Sequence, residues 1–423
     1  MDVKPGYKQT EAGVIPEDWD AKPLAGLAAI IHGFGFKSQY FKPLGNYRLT
    51  TPGHFYETGG FRDVGDKQKF YDGPLPDGYL LSEGDLLVAM TEQADGLLGS
   101  AAFVPTSGTY LHNQRLGKIK VLSTEVSIRF LYRVFNSKSY RTKVRETAVG
   151  TKVKHTSPSK LLEISIPLPP TKAEQEAIAA ALSNVDALIA ALDLLIAKKR
   201  DIKQAAMQEL LTGKRRLPGF SGEWVMKRLG DSSILKARIG WQGLTTAEYL
   251  DSGDYYLVTG TEFRDAYIDW SSCHFVDESR YKQDKNIQLK EHDVLVTKDG
   301  TIGKVALISS LPKPATLNSG VFVIRPIDNA FHPDFFYYLL CSNSFIEFLT
   351  QLSAGSTINH LYQKDFVSFT YKTPAAIGEQ IAIAAILSDM DAEIAALEAR
   401  REKTRALKQG MMQELLTGRI RLA

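Results

Sequence analysis

Apolar residues recur with a seven-residue step in two stretches of this chain. In the first, Ile178, Val185 and Leu192 are spaced by seven and flanked by Leu182, Ile189 and Ile196. In the second, Ile383, Met390 and Leu397 keep the same step, flanked by Leu387 and Ile394. A seam held over about three heptads predicts helices that pack along their length. Thr171 and Glu174, just after Pro169-Pro170, spell a capping box for the first helix. The second has Ala376 in place of Thr171, so its start is expected to fray. Both run into Leu-Leu-Thr-Gly, where Gly213 and Gly418 suit the left-handed residue after a helix end. At about 1.5 Å per residue, Lys172 to Thr212 would span roughly 60 Å, enough to act as a ruler.

The two stretches are copies of each other. Residues 174–217 return at 379–422 with an offset of 205, and 27 of the 44 paired positions are identical. A repeat of fixed period decides the architecture before any local reading does. The register extends outward: Trp19 aligns with Trp224, Asn113 with Asn318, Gly150 with Gly355, His155 with His360 and Pro169 with Pro374. LSEGDLLV at 81–88 matches LKEHDVLV at 289–296 at an offset of 208. The order is therefore variable domain (1–168), helix (169–217), variable domain (218–372), helix (373–423).

The variable domains read as mixed α and β. YLLSEGDLLVAM and VLVTKDGTIGKVALI look like strands broken at glycine-containing turns. Residues 129–148 and 335–354 each look like one amphipathic helix, followed by a loop of small residues and a short strand. Trp19 and Trp224 stand just ahead of each domain as packing anchors.

With 423 residues, more than one hydrophobic core is expected. Hydrophobic content of 44% and charged content of 23% are ordinary for a soluble protein, and the net charge of +3 permits nucleic-acid binding without arguing for it. Two cysteines, Cys273 and Cys341, fit a reducing cytoplasm. The N-terminal residues lack the apolar core of a signal peptide. The most apolar stretch, Ile178 to Ala197, is interrupted by Asn184, Asp186 and Asp193, so no membrane span is expected.

Catalytic motifs are not found. DGTIGK lacks phosphate-loop spacing, no Cys/His set has zinc spacing, and the sole Pro-Pro lies in PLPPT rather than in an adenine-methyltransferase motif. No catalytic residue, metal or cofactor is expected on this chain. Between Arg129 and Lys154 there are eight basic residues against Glu146 alone: Arg129, Arg133, Lys138, Arg141, Lys143, Arg145, Lys152 and Lys154. Such a run can neutralise phosphates, or simply form a solvated helix face. The matching stretch 334–359 contains no Lys or Arg. Base reading needs directional polar groups on loops. Thr151, Lys152, Lys154 and His155 in the first half, and Ser356, Thr357, Asn359 and His360 in the second, occupy matching loops. Glu92, Gln93, Lys298 and Asp299 follow the paired strands.

The leader YKQTEAGVIPEDW, the element LPGFSGEW at 217–224, the Pro-then-Glu-Gln openings of both helices, both MQELLTG exits and AGST at 354–357 resemble the specificity subunit of type I restriction–modification systems. The resemblance implies an α+β fold with two mixed target-recognition domains separated by two long antiparallel coiled-coil helices, pseudo-two-fold and circularly organised. It implies that each domain reads one half of an asymmetric, split double-stranded DNA sequence while the helices fix the spacing. Two methyltransferase subunits would dock on this frame, bringing S-adenosylmethionine and adenine-N6 chemistry. Restriction subunits would add ATP- and Mg-dependent cleavage, leaving this chain a non-catalytic, cytoplasmic partner. A coiled-coil adaptor without a DNA role and a stand-alone nuclease recognition protein are the alternatives.

Overall fold

Both apolar seams are helical, over Lys172–Leu210 and Ile377–Leu415, each of 39 residues. The computed structural model describes residues 4–92, 95–151, 153–264, 267–353 and 360–422. The chain divides into two units, residues 1–192 with 400–423, and residues 193–399. The division falls inside both helices, so each unit holds the first part of one and the last part of the other.

In the first unit Ile178 and Leu182 share a core with Leu415 and Leu416, and Asp186 meets Lys408 at 2.6 Å. In the second, Leu210 and Leu211 share a core with Ile383, Ala384 and Leu387, and Lys199 meets Glu393 at 2.6 Å. Within each unit, numbers rise along one helix as they fall along the other, so the pairing is antiparallel. The seam residues face inward: Ile178, Leu182, Leu192, Ile383, Leu387 and Ile394 are buried, and Val185, Ile189, Met390 and Leu397 half-buried. The first helix is apolar and long enough, by length and composition, to cross a membrane. Its Asp186, however, is held by Lys408 and Arg133 inside the first unit.

The two mixed domains have unlike sequences and one topology. In the first, an antiparallel sheet runs Ala101–Phe103, Leu86–Ala89, Leu116–Val121, Ala28–His32. In the second, the order is Val305–Leu307, Val294–Thr297, Val321–Pro326, Ser233–Lys236. Alternation along the second strand of each serves two cores, because side chains point to opposite faces with a period of two. Leu86 and Val88 face the helices while Leu87 and Ala89 face a smaller cluster, and Val294 and Val296 divide from Leu295 in the same way. A smaller sheet also recurs. Tyr110–Leu111 lies parallel to Tyr47–Leu49, which pairs antiparallel with Phe70–Tyr71; Ala315–Leu317, Tyr255–Val258 and His274–Val276 repeat this. Finally Asp20–Pro23 pairs with Ser165–Leu168, and Trp224–Arg228 with Thr370–Pro374, leading into each long helix.

Two expectations need correction. The stretches 129–148 and 335–354 are each two helices, Ile128–Phe135 with Lys138–Glu146, and Pro333–Leu340 with Asn343–Ser353. The break in the first follows from Asn136 and Ser137, whose short polar side chains compete with the helical ladder. Asn136 exchanges hydrogen bonds with both backbone groups of Ala101, and Ser137 Oγ accepts from Tyr140 N–H to start the next helix. The second correction concerns the long helices. Ala376 does not delay the second, which begins at the residue equivalent to Lys172. In the first, Thr171 Oγ1 accepts from Glu174 N–H at 3.2 Å, but the Glu174 carboxylate turns away to Arg421. The capping box is therefore half made.

That turn away explains the Glu-Gln pair opening both helices. Arg421 donates to Glu174 through Nε and Nη2 at 2.5 and 2.9 Å and lies over the Trp19 ring. Arg216 does the same to Glu379, at 2.6 and 2.7 Å, and lies over Trp224. The following glutamines are wholly buried. Gln175 accepts from Ser127 N–H and donates to Pro169 O; Gln380 accepts from His332 N–H and donates to Pro374 O. One residue closes the helix start, the lead-in strand and the first domain helix together.

Candidate nucleic-acid interface

The loop positions singled out by the repeat come together as adjacent strands. In the first domain Thr91 faces His155 and Glu92 faces Lys154 across an antiparallel pair. In the second, Asp299 faces His360 in the same bridge, at the residues matching Thr91 and His155. His360 Nδ1 contacts the Asp299 carboxylate, and its ring lies 4.5 Å from that of Tyr362. Thr151 and His155 are exposed, and Lys154 is bonded to Asp95 at 2.9 Å, which raises its pKa. Lys298 is half-buried, its ammonium 5.3 Å from the centre of the Phe322 ring. Gln93, Lys152, Ser356, Thr357 and Asn359 lie outside the described residues.

Several expected contacts are internal supports instead. Glu92 is 3% exposed and accepts the N–H groups of Gly96, Leu97 and Leu98 at 3.2, 2.9 and 2.7 Å. All three donors converge on Oε2, so this buried carboxylate holds the turn at 96–98. Arg141 is buried, and its guanidinium donates to the carbonyls of Leu98, Glu57 and Gly96; burial pushes its pKa down to about 10. Lys143 is half-buried and reaches the carbonyls of Glu11 and Ser165, and burial lowers its pKa too. The equivalents of Arg141 and Lys143 in the second half are Ile346 and Phe348. Part of the charge imbalance between the halves is thus a difference in how loops are braced. Of the basic run, Arg129, Lys138 and Arg145 face outward.

The second domain also contains an open cleft of about 820 Å³ that includes Asp299. Its other walls come from strand ends far apart in sequence: Thr259 to Thr261 after one strand, Gly300 and Thr301 after another, and Asn318 to Gly320 between two more, with His274 and Lys304 alongside. Two buried groups set these walls. Glu262, 1% exposed, accepts the N–H of Thr259 and of Gly260 at 3.0 Å each and the hydroxyl of Thr261 at 2.8 Å. Asn318 accepts from Leu244 and Ser319 N–H and donates to Leu244 O and Tyr249 Oη. Gly260 has φ 104°, a left-handed conformation that side chains resist. The result is a polar wall of hydroxyls, one ammonium and carboxylates, the kind of set that reads base edges by hydrogen bonding. Thr259, Thr261, His274, Lys304 and Ser319 escaped the sequence reading. The signal for most of them is a glycine beside Ser or Thr at a strand end, as in TGT, DGT and NSG. Among the described residues no His, Cys, Asp or Glu cluster could hold a metal ion.

Fold and site together define a duplicated protein: two domains of one topology, carrying different polar residues at matching strand ends. The chain belongs to the family described as type I restriction modification DNA specificity domain, whose profile matches residues 16–198 and 221–405. It is 26% identical over 317 residues to the type I restriction enzyme EcoBI specificity subunit of Escherichia coli, covering 70% of this chain and 63% of that one, short of two thirds. It is 24% identical over 436 residues to the putative type I restriction enzyme MjaX specificity subunit of Methanocaldococcus jannaschii, covering 98% and 97%. The crystal structure of the restriction–modification S subunit from M. genitalium superposes with a TM-score of 0.59 at 16% identity, over 98% of both chains.

Proposed function

We propose that this chain recognises an asymmetric, bipartite double-stranded DNA sequence, one half-site per mixed domain. The long helices set the spacing and dock two methyltransferase subunits, which methylate adenine at N6 with S-adenosylmethionine. Restriction subunits using ATP and Mg join the same frame, and the assembly works in the cytoplasm. The observation carrying this reading is the duplication itself. The sheets, helix pairing and Glu-Gln joints repeat in both units, while the strand-end loops differ. A frame that repeats can present two like surfaces to two copies of one partner, and loops that differ give an asymmetric site. The residues proposed to meet DNA are Lys138, Arg145, Thr151, Lys154, His155, Lys298, Asp299 and His360, joined by the cleft residues Thr259, Thr261, His274 and Ser319.

The test is to map methylated adenines in a host carrying this chain with its methyltransferase partner. Two half-sequences separated by a fixed, unread spacer are expected. A single uninterrupted site, or the same pattern when this chain is omitted, would refute the proposal.

A further inference from the structure

The two units share one more set of contacts, located where each mixed domain meets the helix pair. In the first unit Arg133, on the helix Ile128–Phe135, donates through Nη1 to Asp186 Oδ2 at 2.5 Å and through Nη2 to Ser183 Oγ at 2.8 Å. Lys408, from the opposite long helix, takes the other oxygen, Oδ1, at 2.6 Å. In the second unit the residues 205 positions away do the same. Tyr338 Oη donates to Asp391 Oδ2 at 2.9 Å, and Lys203 pairs with Oδ1 while its ammonium lies 5.4 Å from the Tyr338 ring centre. Arg133 and Tyr338 are each only 5% exposed. Burial, first, and the neighbouring Asp391 both raise the Tyr338 pKa, so the phenol stays a donor.

Each aspartate thus gives one oxygen to the domain and one to the opposite helix. The aspartates themselves are about a third exposed, at 33% and 34%, so the ion pairs add little stability. What a two-sided carboxylate adds is direction. We propose that Asp186 and Asp391 are positioning residues, each locking its recognition domain at one angle on the helix pair so that a single spacer length is accepted. This rests on the proposed reading that the helices set half-site spacing.

The experiment uses the full chain with its methyltransferase partner and duplexes carrying the mapped target, with the natural spacer or one base pair more or less. For the unsubstituted complex a clear preference for the natural spacer is expected. In D186N and R133L that preference should fall about tenfold, while discrimination between right and wrong half-sequences holds. R133Y should restore it, because tyrosine already serves at 338. Y338F, which removes one hydroxyl and keeps the ring, gives a mild second probe and should weaken the preference too. Unchanged spacer preference in D186N, R133L and Y338F would overturn the lock, as would R133Y behaving like R133L. An unsubstituted complex indifferent to the spacer would overturn the ruler itself, and the lock with it.

Discussion

Arg141 and Arg145 lie one turn apart on the same helix and have opposite roles. The first braces three carbonyls from inside; the second faces water. Replacing Arg141 with Ala should cost roughly 2–3 kcal/mol of stability, since it strands buried acceptors. Arg145→Ala should stay within about 0.5 kcal/mol but weaken DNA binding for all sequences and lower the salt slope by about one. Denaturant titrations and salt-dependent binding separate the two; a reversal of these effects would contradict the assignment. His112 offers a pH test. It is buried against Leu116 O, and burial pushes its pKa from 6.5 down to about 4. The unfolded chain therefore takes up a proton that the folded one refuses. Its stabilising effect is full above pH 6.5 and declines as pH falls toward 4, by roughly 3 kcal/mol at most. His54, also lowered by burial, acts in the same direction. Unfolding midpoints should drop over that window and drop less in H112Q; equal slopes would show that His112 is not responsible. Residue type alone conceals these roles. Arg133, Arg141, Lys143 and Glu92 look like surface charges until the fold brings up Asp186, Leu98, Glu11 and the turn at 96–98, all local or distant partners that spacing does not reveal.

The elements were far more legible, and for a physical reason. A long helix repeats its environment every turn, so the seam from Ile178 to Leu192 and its copy declare themselves by period. Short strands carry too few residues for that, and the helix breaks at Asn136 and Ser342 depend on side chains folding back onto particular carbonyls. The Glu-Gln openings were visible as a repeated motif, but their partners were not. Arg216 with Glu379 is separated by 163 residues and Arg421 with Glu174 by 247. Glu379 is 1% exposed, so Arg216→Ala should destabilise the fold by leaving a buried carboxylate unpaired. The double change R216L/E379L should cost clearly less than the sum of the single ones. A double-mutant cycle by chemical unfolding measures this, and strict additivity would mean that the pair is not coupled.

For the whole molecule, the repeat assigns separate tasks to separate segments. Four residues inserted into the helix seam should alter the spacer between half-sites and leave both half-sequences as they were. Altered half-sequences would mean the helices are not the ruler. Grafting residues 224–372 from a relative should change one half of the target only, as methylation mapping would report. The two-fold plan was readable from the 205-residue offset, because a duplication preserves order even where it erases identity. Which loops face one another was not, since the cleft wall at Thr259, Gly300 and Ser319 exists only once three strands are side by side.

The two units also differ in when they can be completed. The second is one unbroken segment, residues 193–399, whereas the first needs residues 400–423 to return to its beginning. Leu415 and Leu416 fill its core, and Arg421 ties Glu174 to Asp18, its partner 403 residues earlier. During synthesis domains generally fold from the N-terminus onward, yet here the first unit must wait until residues 400–423 are made. A chain stopped short of residue 400 should protect its second unit from proteases and leave the first open. The end of the second long helix therefore gates the folding of the first unit: a product lacking it is left with an unsealed core, exposed to degradation.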